Sequence, residues 1–199
     1  MSRRQRAFDL AFATAGLALF ALPVSAIALA IRAEDAGPML FRQERLGKHR
    51  RPFTIHKLRT MRDGEVTRVG AWLRATGLDE TAQFLDVLRG DMRMVGPRPL
   101  TAEDVRRFRY DGREADGRFA VRPGITGLAQ VAGGRTVRES RRYDALYART
   151  SSLRLDATLI SLSFLMNLVG KQRARVAWRQ GRRLYRRVLR SRRSHAHRS

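Results

Sequence analysis

The feature that most constrains this chain is an apolar stretch of 22 residues, 10–31, that contains no charged side chain. As a single helix it would be about 33 Å long, which is enough to cross the hydrocarbon core of a bilayer. Basic residues stand on both sides of this stretch. They are Arg3, Arg4 and Arg6 before it, and Arg32, Arg42, Arg45, Lys48, Arg50 and Arg51 after it.

Three interpretations of the apolar stretch compete: a membrane span, a signal peptide with a small-residue site at Val24-Ser25-Ala26, and a re-entrant segment that enters and leaves by one face. Lys and Arg are enriched on the cytoplasmic side of membranes, so a spanning or cleaved segment would place one basic cluster on the wrong side. Pro23 in the middle predicts a kink or a break in the helix. These features favour the re-entrant interpretation over the other two.

The charge of the chain predicts an anionic partner. Its 199 residues carry 41 Lys+Arg against 18 Asp+Glu, a net charge of +23. Nucleic acid, an anionic membrane surface and phosphorylated substrates all fit such a charge. The absence of cysteine excludes disulfides, cysteine-bound zinc and a thiol nucleophile. With 43% hydrophobic residues, the chain has enough apolar material for a core.

Residues 171–199 form a separate basic segment, with Lys171, eleven Arg and no acidic residue. Apolar residues recur there at spacings of three and four. This pattern predicts either an amphipathic helix that binds anionic lipids or a solvated basic tail, with equal weight.

Between the apolar stretch and the tail, local patterns predict a β-hairpin and several helices. The hairpin strands are expected at 39–44 and 52–58, around a glycine turn. Helices are expected at 69–75 and 79–88. The charge-free stretch 157–170 is too short to span a membrane and is expected to be a core or interfacial helix.

Two short segments could carry chemistry. Asp79-Glu80 opens a predicted helix, where acidic residues commonly serve only as caps, but the same position suits an ionised nucleophile and a divalent metal. In Gly96-Pro97-Arg98-Pro99, two prolines would present one guanidinium to a phosphate, although a plain loop is the simpler interpretation. Lys57 and Arg59 add positive charge after the second hairpin strand. No Walker loop, GxSxG or GxGxxG motif is present.

Three segments of the chain follow one another in a specific order. They are GPMLFRQERLGKHRRPFTIHKLRTM at 37–61, LRATGLDETAQFLDVLRGDMRMVGPRPL at 73–100 and VRPGITGLAQVAGG at 121–134. Taken in this order, they resemble one family, the bacterial sugar transferases or monotopic phosphoglycosyl transferases. A weaker match to the same family is RYDALYARTSSLRLD at 142–156.

The resemblance implies a mixed α/β fold, mainly helical with a small β-hairpin, held in one leaflet of the bacterial cell (inner) membrane by a re-entrant helix and interfacial amphipathic helices. The active site would face the cytoplasm. The expected organisation is a membrane-embedded segment with a basic N-terminus at 1–36, a catalytic domain at 37–156, an apolar helix at 157–170 and the basic tail at 171–199.

The resemblance also implies a reaction: transfer of a phosphosugar from a UDP-sugar to polyprenyl (undecaprenyl) phosphate, with release of UMP, at the start of exopolysaccharide or other glycan assembly. The family uses Mg²⁺ and a covalent intermediate. By motif position Asp79 is the nucleophile, and Glu80 with Asp79 would hold Mg²⁺. The other positions expected to bind substrate are Arg98, Arg74, Lys57, Arg59, Asp144 and Asp156.

The chain departs from the family pattern at a few positions. Gly77 stands in place of the usual Ser, Thr81-Ala82 in place of Leu-Pro, Asp86 in place of Asn, and Leu22 in place of the Ser before the helix-breaking Pro. These changes keep two alternatives open beside the enzyme. One is an inactive membrane scaffold. The other is a basic nucleic-acid-binding protein, which is disfavoured because no nucleic-acid-binding motif is found.

Overall fold

The computed structural model describes residues 1–35, 37–134 and 136–169. Its first element is a long helix, α1 (Arg3–Asp35), which contains the apolar stretch. The helix continues through Pro23, so the break predicted there is not observed. A proline removes one main-chain donor, and the turns on either side keep theirs. The basic tail lies outside the described residues.

The predicted β-hairpin is confirmed. Strands β1 (Leu40–Leu46) and β2 (Pro52–Leu58) pair antiparallel, with Leu40 opposite Leu58. A 3₁₀ turn (Lys48–Arg50) connects them. A second, two-residue hairpin follows, formed by β3 (Met61–Arg62) and β4 (Glu65–Val66).

The next helix, α2 (Arg68–Thr76), has clear boundaries. The Thr67 side chain accepts a hydrogen bond from the Gly70 main chain at its start, and Gly77 closes its end at φ 78°. The helix predicted over 79–88 is only partly correct. A 3₁₀ turn (Leu78–Glu80) comes first, because the main-chain N–H groups of Glu80 and Thr81 donate to carbonyls three residues back, and the helix α3 (Gln83–Arg89) begins after it.

The middle of the chain adds a parallel strand pair that local patterns do not predict. Strand β5 (Arg93–Val95) pairs with β6 (Gly124–Thr126). Glycines allow this close contact, since a Cβ at Gly124 would lie 2.0 Å from the Gly96 nitrogen. The elements between these strands are short. They are α4 (Ala102–Arg107), a 3₁₀ turn (Arg113–Ala115) and α5 (Asp116–Phe119).

Three further helices complete the described chain: α6 (Leu128–Ala132), α7 (Val137–Thr150) and α8 (Leu153–Val169). Helix α8 begins at Leu153, before the charge-free stretch expected at 157–170, and continues to Val169. Leu159 and Met166 on α8 are buried in the main core, whereas Phe164 is 63% exposed. Helix α8 is therefore a core helix with one open side.

Helix α1 contacts the rest of the protein near both of its ends. Near the start, the Arg6 guanidinium donates to the main-chain carbonyls of Val87 and Leu88 at 2.6 and 2.8 Å, at the end of α3. Near the other end, the Glu34 carboxylate accepts hydrogen bonds from the first main-chain N–H groups of α2. Between these points Leu19 and Leu22 are 73% and 84% exposed.

Candidate active site

A large cavity brings together six of the residues predicted from the sequence. Its volume is about 1040 Å³, at the upper end of the range of about 300–1,000 Å³ for ligand sites. Both carboxylates of the Asp79-Glu80 pair line it. So do the four predicted cations Lys57, Arg59, Arg74 and Arg98.

The two carboxylates are positioned by the 3₁₀ turn between α2 and α3. Thr81 fixes the end of this turn, because its main-chain N–H and its hydroxyl both donate to the Leu78 carbonyl, at 3.2 and 2.7 Å. Asp79 and Glu80 are therefore held by a short, closed segment. Their side chains are 14% and 29% exposed, so they are partly shielded from water.

Among the described residues, Lys57, on β2, is the cation nearest to the carboxylate pair. Its Nζ lies 2.8 Å from Glu80 Oε1 and 3.8 Å from Asp79 Oδ2. Burial raises the pKa of Asp79 and the charge of Glu80 adds to this, whereas Lys57 and Arg74 lower the pKa. Lys57 thus favours the ionised form of Asp79 in a site that otherwise disfavours it.

Arg98 is a second cation close to Glu80. Its Nη1 lies 3.9 Å from Glu80 Oε1, and its side chain is 56% exposed. Pro97 and Pro99 restrict the backbone on each side of it. Arg74, on α2, is oriented by a hydrogen bond of 2.9 Å from its Nε to the Thr60 hydroxyl. Cations thus surround two carboxylates in one cavity, an arrangement suited to a diphosphate.

Asp144 is not part of this cavity but lines a neighbouring one of about 510 Å³. Arg98 lines both cavities. Asp144 forms an ion pair with Arg118, with Oδ2 3.5 Å from the guanidinium Nε. Burial raises the pKa of Asp144 to about 6, and Arg118 opposes this rise. The structure therefore places Asp144 in a cavity beside the site, and the two cavities share Arg98.

Asp156 lies apart from both cavities. Its side chain is fully buried, accepts from Arg93 Nη2 at 2.8 Å, and lies 2.7 Å from the Tyr147 hydroxyl. Both oxygens are thus engaged inside the protein. The structure does not bring Asp156 to the carboxylate pair, and its contacts are those of a residue that holds the fold together.

The departures from the family pattern have local explanations. Gly77 adopts φ 78°, a conformation that favours glycine. Ala82 has φ −62°, close to the value that a proline would impose, so α3 still begins at the next residue. Asp86 is fully buried and accepts a hydrogen bond from the His56 main-chain N–H at 2.9 Å, and its other oxygen lies 2.6 Å from His56 Nδ1. None of these changes removes a group from the cavity.

The sequence did not predict several polar residues of the cavity wall. Ser163 and Asn167 lie four residues apart on α8, which places them on one helix face. Polar residues at this spacing inside an apolar stretch were the signal for them. Thr126 and Gln130 also line the cavity, and neither shows a local pattern that marks it as a site residue.

The carboxylate pair fits the expected Mg²⁺. This ion commonly binds through one or two protein carboxylates together with waters and substrate phosphates, not through a complete protein cage. Asp79 and Glu80 are adjacent carboxylates on the cavity wall. Within the described part of the chain, no group of three or more potential metal-ligating side chains is found. The two carboxylates therefore suit a metal ion whose remaining ligands come from a bound diphosphate and from water.

Comparison with known proteins gives a family match. The model of a family described as bacterial sugar transferase matches residues 1–170. A relative from Caulobacter vibrioides, named UDP-glucose:undecaprenyl-phosphate glucose-1-phosphate transferase, is 43% identical over 181 residues, which cover 79% of this chain and 67% of the relative.

Two further relatives are less similar and longer. One from Escherichia coli carries the same name and is 35% identical, over 84% of this chain and 40% of the relative. One from Aeromonas hydrophila, named UDP-N-acetylgalactosamine-undecaprenyl-phosphate N-acetylgalactosaminephosphotransferase, is 35% identical over 83% of this chain and 44% of the relative. The matched part of the chain thus spans less than half the length of these two proteins.

Proposed function

Because this chain belongs to the bacterial sugar transferase family, we propose that it transfers a sugar phosphate from a UDP-hexose to undecaprenyl phosphate, releasing UMP and initiating a glycan. The observation that carries the proposal is the convergence of Asp79, Glu80, Lys57 and Arg98 on one cavity. Relatives named for this reaction support it. UDP-glucose is the donor to test first, because the relative that is 43% identical is named for it.

The cavity residues have distinct roles in this proposal. An Asp79 oxygen attacks the phosphorus that bears the sugar, an Asp79–phosphorus bond forms, and the bond to UMP breaks. An oxygen of undecaprenyl phosphate then attacks the same phosphorus and releases the Asp79 carboxylate. Lys57 favours the ionised form of Asp79, and Arg98 balances charge on the departing phosphate. Mg²⁺, held by Glu80 and Asp79, supplies further charge neutralisation on the diphosphate when it is bound.

The walls of the cavity also suit a lipid acceptor. Phe20 of the apolar helix α1 lines it, together with Phe41 and Phe164. Phe41 and Phe164 are 45% and 63% exposed. The charged carboxylate pair therefore lies next to apolar surface, as transfer to a phosphate on a long hydrocarbon chain requires.

We propose that α1 enters and leaves the membrane by one face. The helix is long and apolar enough to cross a bilayer. Its most apolar 18-residue segment has a mean hydropathy of 2.1, and only 11% of that segment is buried inside the protein. However, Arg6 and Glu34, near its two ends, bond to the same domain. A transmembrane path would pull one of these contacts across the bilayer. Trp72 on α2, 51% exposed, adds an amphipathic aromatic group suited to the interface.

An assay with purified protein tests the reaction. UDP-glucose labelled at its β-phosphorus is supplied with Mg²⁺, with and without undecaprenyl phosphate. Wild type should give labelled lipid and UMP, and should retain label on the protein when the acceptor is omitted. Asp79→Asn should lose about 10³-fold or more of the activity. Asp63→Asn is the matched control, because Asp63 is 89% exposed in a turn.

Each outcome of this assay decides something. Equal product from wild type and Asp79→Asn would remove Asp79 from the mechanism. Protein that makes lipid product without ever carrying label would refute the covalent intermediate. Absence of lipid product from wild type across a panel of UDP-sugars would refute the proposed reaction and favour a scaffold.

The absence of cysteine allows a clean topology test. Single cysteines placed at Ser2 and at Ser199 are treated with a membrane-impermeant maleimide outside intact spheroplasts. Both should stay unlabelled until the cells are opened, because both flanks of the apolar stretch belong on the cytoplasmic side. Labelling of one position but not the other in intact cells would refute the one-face path.

We further propose that residues 171–199 bind anionic lipids through their Arg side chains. The support is sequence alone: twelve basic residues, Lys171 and eleven Arg, and no acidic one. Deletion of this segment should weaken binding to phosphatidylglycerol liposomes more at low salt than at high salt. Binding that responds to salt in the same way after deletion would refute the proposal.

A further inference from the structure

The main chain of strand β5 forms hydrogen-bond contacts with two side chains of other elements, and one of these side chains belongs to the membrane helix. Asp9, on α1, accepts a hydrogen bond from the Met94 main-chain N–H at 3.3 Å. The Tyr147 hydroxyl lies 2.9 Å from the Val95 carbonyl. Asp9 is fully buried although it directly precedes the apolar stretch. The main chain of β5 is therefore held in part by α1.

Arg93 joins these contacts into one buried network. Its guanidinium donates to Asp9 at 2.8 Å, to the Tyr147 hydroxyl at 3.0 Å and to Asp156 at 2.8 Å. Burial lowers the pKa of Arg93, but Asp9, Tyr147 and Asp156 together raise it above its ordinary value. The network thus holds a permanently charged side chain with two carboxylates around it, and these partners fix its position.

The network stands directly before the Arg98 segment. Val95 ends β5, and Gly96-Pro97-Arg98-Pro99 follows at once. Two prolines leave little torsional freedom around Arg98. The Gly124 N–H donates to the Pro97 carbonyl at 3.0 Å, which ties the segment to β6 as well. A displacement of β5 therefore moves the guanidinium that faces Glu80.

We propose that Asp9 is a positioning residue, through which the membrane helix sets Arg98 for donor binding. Asp9 does not touch the substrates; it acts by holding the Met94 main chain and the Arg93 side chain. Protein in which α1 is displaced from its contacts with β5 would then bind UDP-sugar poorly. The position of α1 in the membrane is thereby coupled to the affinity for the donor substrate. The inference rests on the proposed function, since it assigns Arg98 to the donor.

Asp156 provides a matched control for Asp9. Both carboxylates are fully buried, and each accepts a hydrogen bond of 2.8 Å from Arg93. Only Asp9 bonds to the main chain of β5. Asp9→Ala and Asp156→Ala should therefore lower the melting temperature to similar extents. Only Asp9→Ala should raise the KM for UDP-glucose, by about tenfold, with the KM for undecaprenyl phosphate unchanged. Asp9→Asn keeps an acceptor for Met94 and should restore most of the affinity.

Calorimetric binding of UDP-glucose to the same full-length proteins gives a readout that does not need turnover. Tyr147→Phe removes a hydroxyl that contacts Val95, Arg93 and Asp156 but leaves the ring in the core. It serves if an alanine variant does not fold, and it should weaken binding about threefold. Equal KM values for Asp9→Ala and Asp156→Ala would overturn the inference, as would unchanged binding in Tyr147→Phe. Wild type that neither binds nor turns over UDP-sugars would overturn the proposed function, and with it the inference.

Discussion

Replacing Gly124 by alanine should loosen the pairing of β5 and β6. The added Cβ would lie 2.0 Å from the Gly96 nitrogen and 2.5 Å from the Val95 carbonyl carbon, whereas real Cβ contacts essentially never fall below 3.0 Å. The strands must then separate by about 1 Å. The hydrogen bonds from Arg93 to Pro123 and from Gly96 to Thr126 are both 2.8 Å, and that from Gly124 to Pro97 is 3.0 Å. An increase of about 1 Å takes all of them beyond hydrogen-bonding distance.

At about 1 kcal/mol for each hydrogen bond, the expected loss is about 3 kcal/mol in the free energy of unfolding. In a chain of this size, that lowers the melting temperature by about 6–12 °C. The melting temperature is measured by circular dichroism of the protein in nanodiscs. Gly112→Ala is the control, because a Cβ there meets nothing within 4 Å and φ is −72°. Melting of Gly124→Ala within about 2 °C of this control would refute the close packing inferred for the glycines.

Three further predictions concern the core and the charges. Leu73→Ala empties a fully buried position and should cost about 2–5 kcal/mol in urea unfolding. Trp72→Ala, at the neighbouring exposed position, should cost less than about 1 kcal/mol, and equal losses would contradict the burial of Leu73. The fold raises the pKa of Asp144 from 3.8 to about 6, so the contribution of Asp144 to the free energy of unfolding should fall as pH rises between these values and be flat above. Asp144→Asn should remove this decrease in the free energy of unfolding, which totals about 3 kcal/mol over the pH range. An unchanged decrease would contradict the raised pKa of Asp144. Because Lys57 lowers the raised pKa of Asp79, Lys57→Met should shift the acid limb of the kcat/KM profile to higher pH, and a shift to lower pH would contradict this role.

Local sequence patterns predicted the elements that local chemistry determines. The hairpin of β1 and β2 follows from two β-rich runs around a glycine turn. Helix α2 follows from its apolar spacing and ends at Gly77. Asp79 and Arg98 were identified because their motifs occur in a specific order, and the structure brings both to one cavity.

Long-range contacts were beyond such patterns. Strands β5 and β6 have three residues each, too few to show an alternation, and what permits their pairing is the absence of side chains at Gly96 and Gly124. Asp9 looked like the edge of an apolar stretch, because its partner Arg93 is 84 residues away. Asp156 was expected at the substrate, but both of its oxygens contact buried side chains, the Arg93 guanidinium and the Tyr147 hydroxyl, which lie far from it in the sequence or carry no motif.

The contacts of α1 also have a consequence for biogenesis. This helix leaves the ribosome before any of the residues that hold it. Arg93 lies 84 residues after Asp9. At a translation rate of about 5–20 residues per second, Arg93 is synthesised about 4–17 s after the carboxylate whose charge it balances. Asp156 follows Gln5 by 151 residues and arrives later still. During translation the nascent helix therefore carries the Asp9 carboxylate without its ion-pair partner beside the apolar segment. The helix can form its final contacts only after Arg93 and Asp156 have been synthesised.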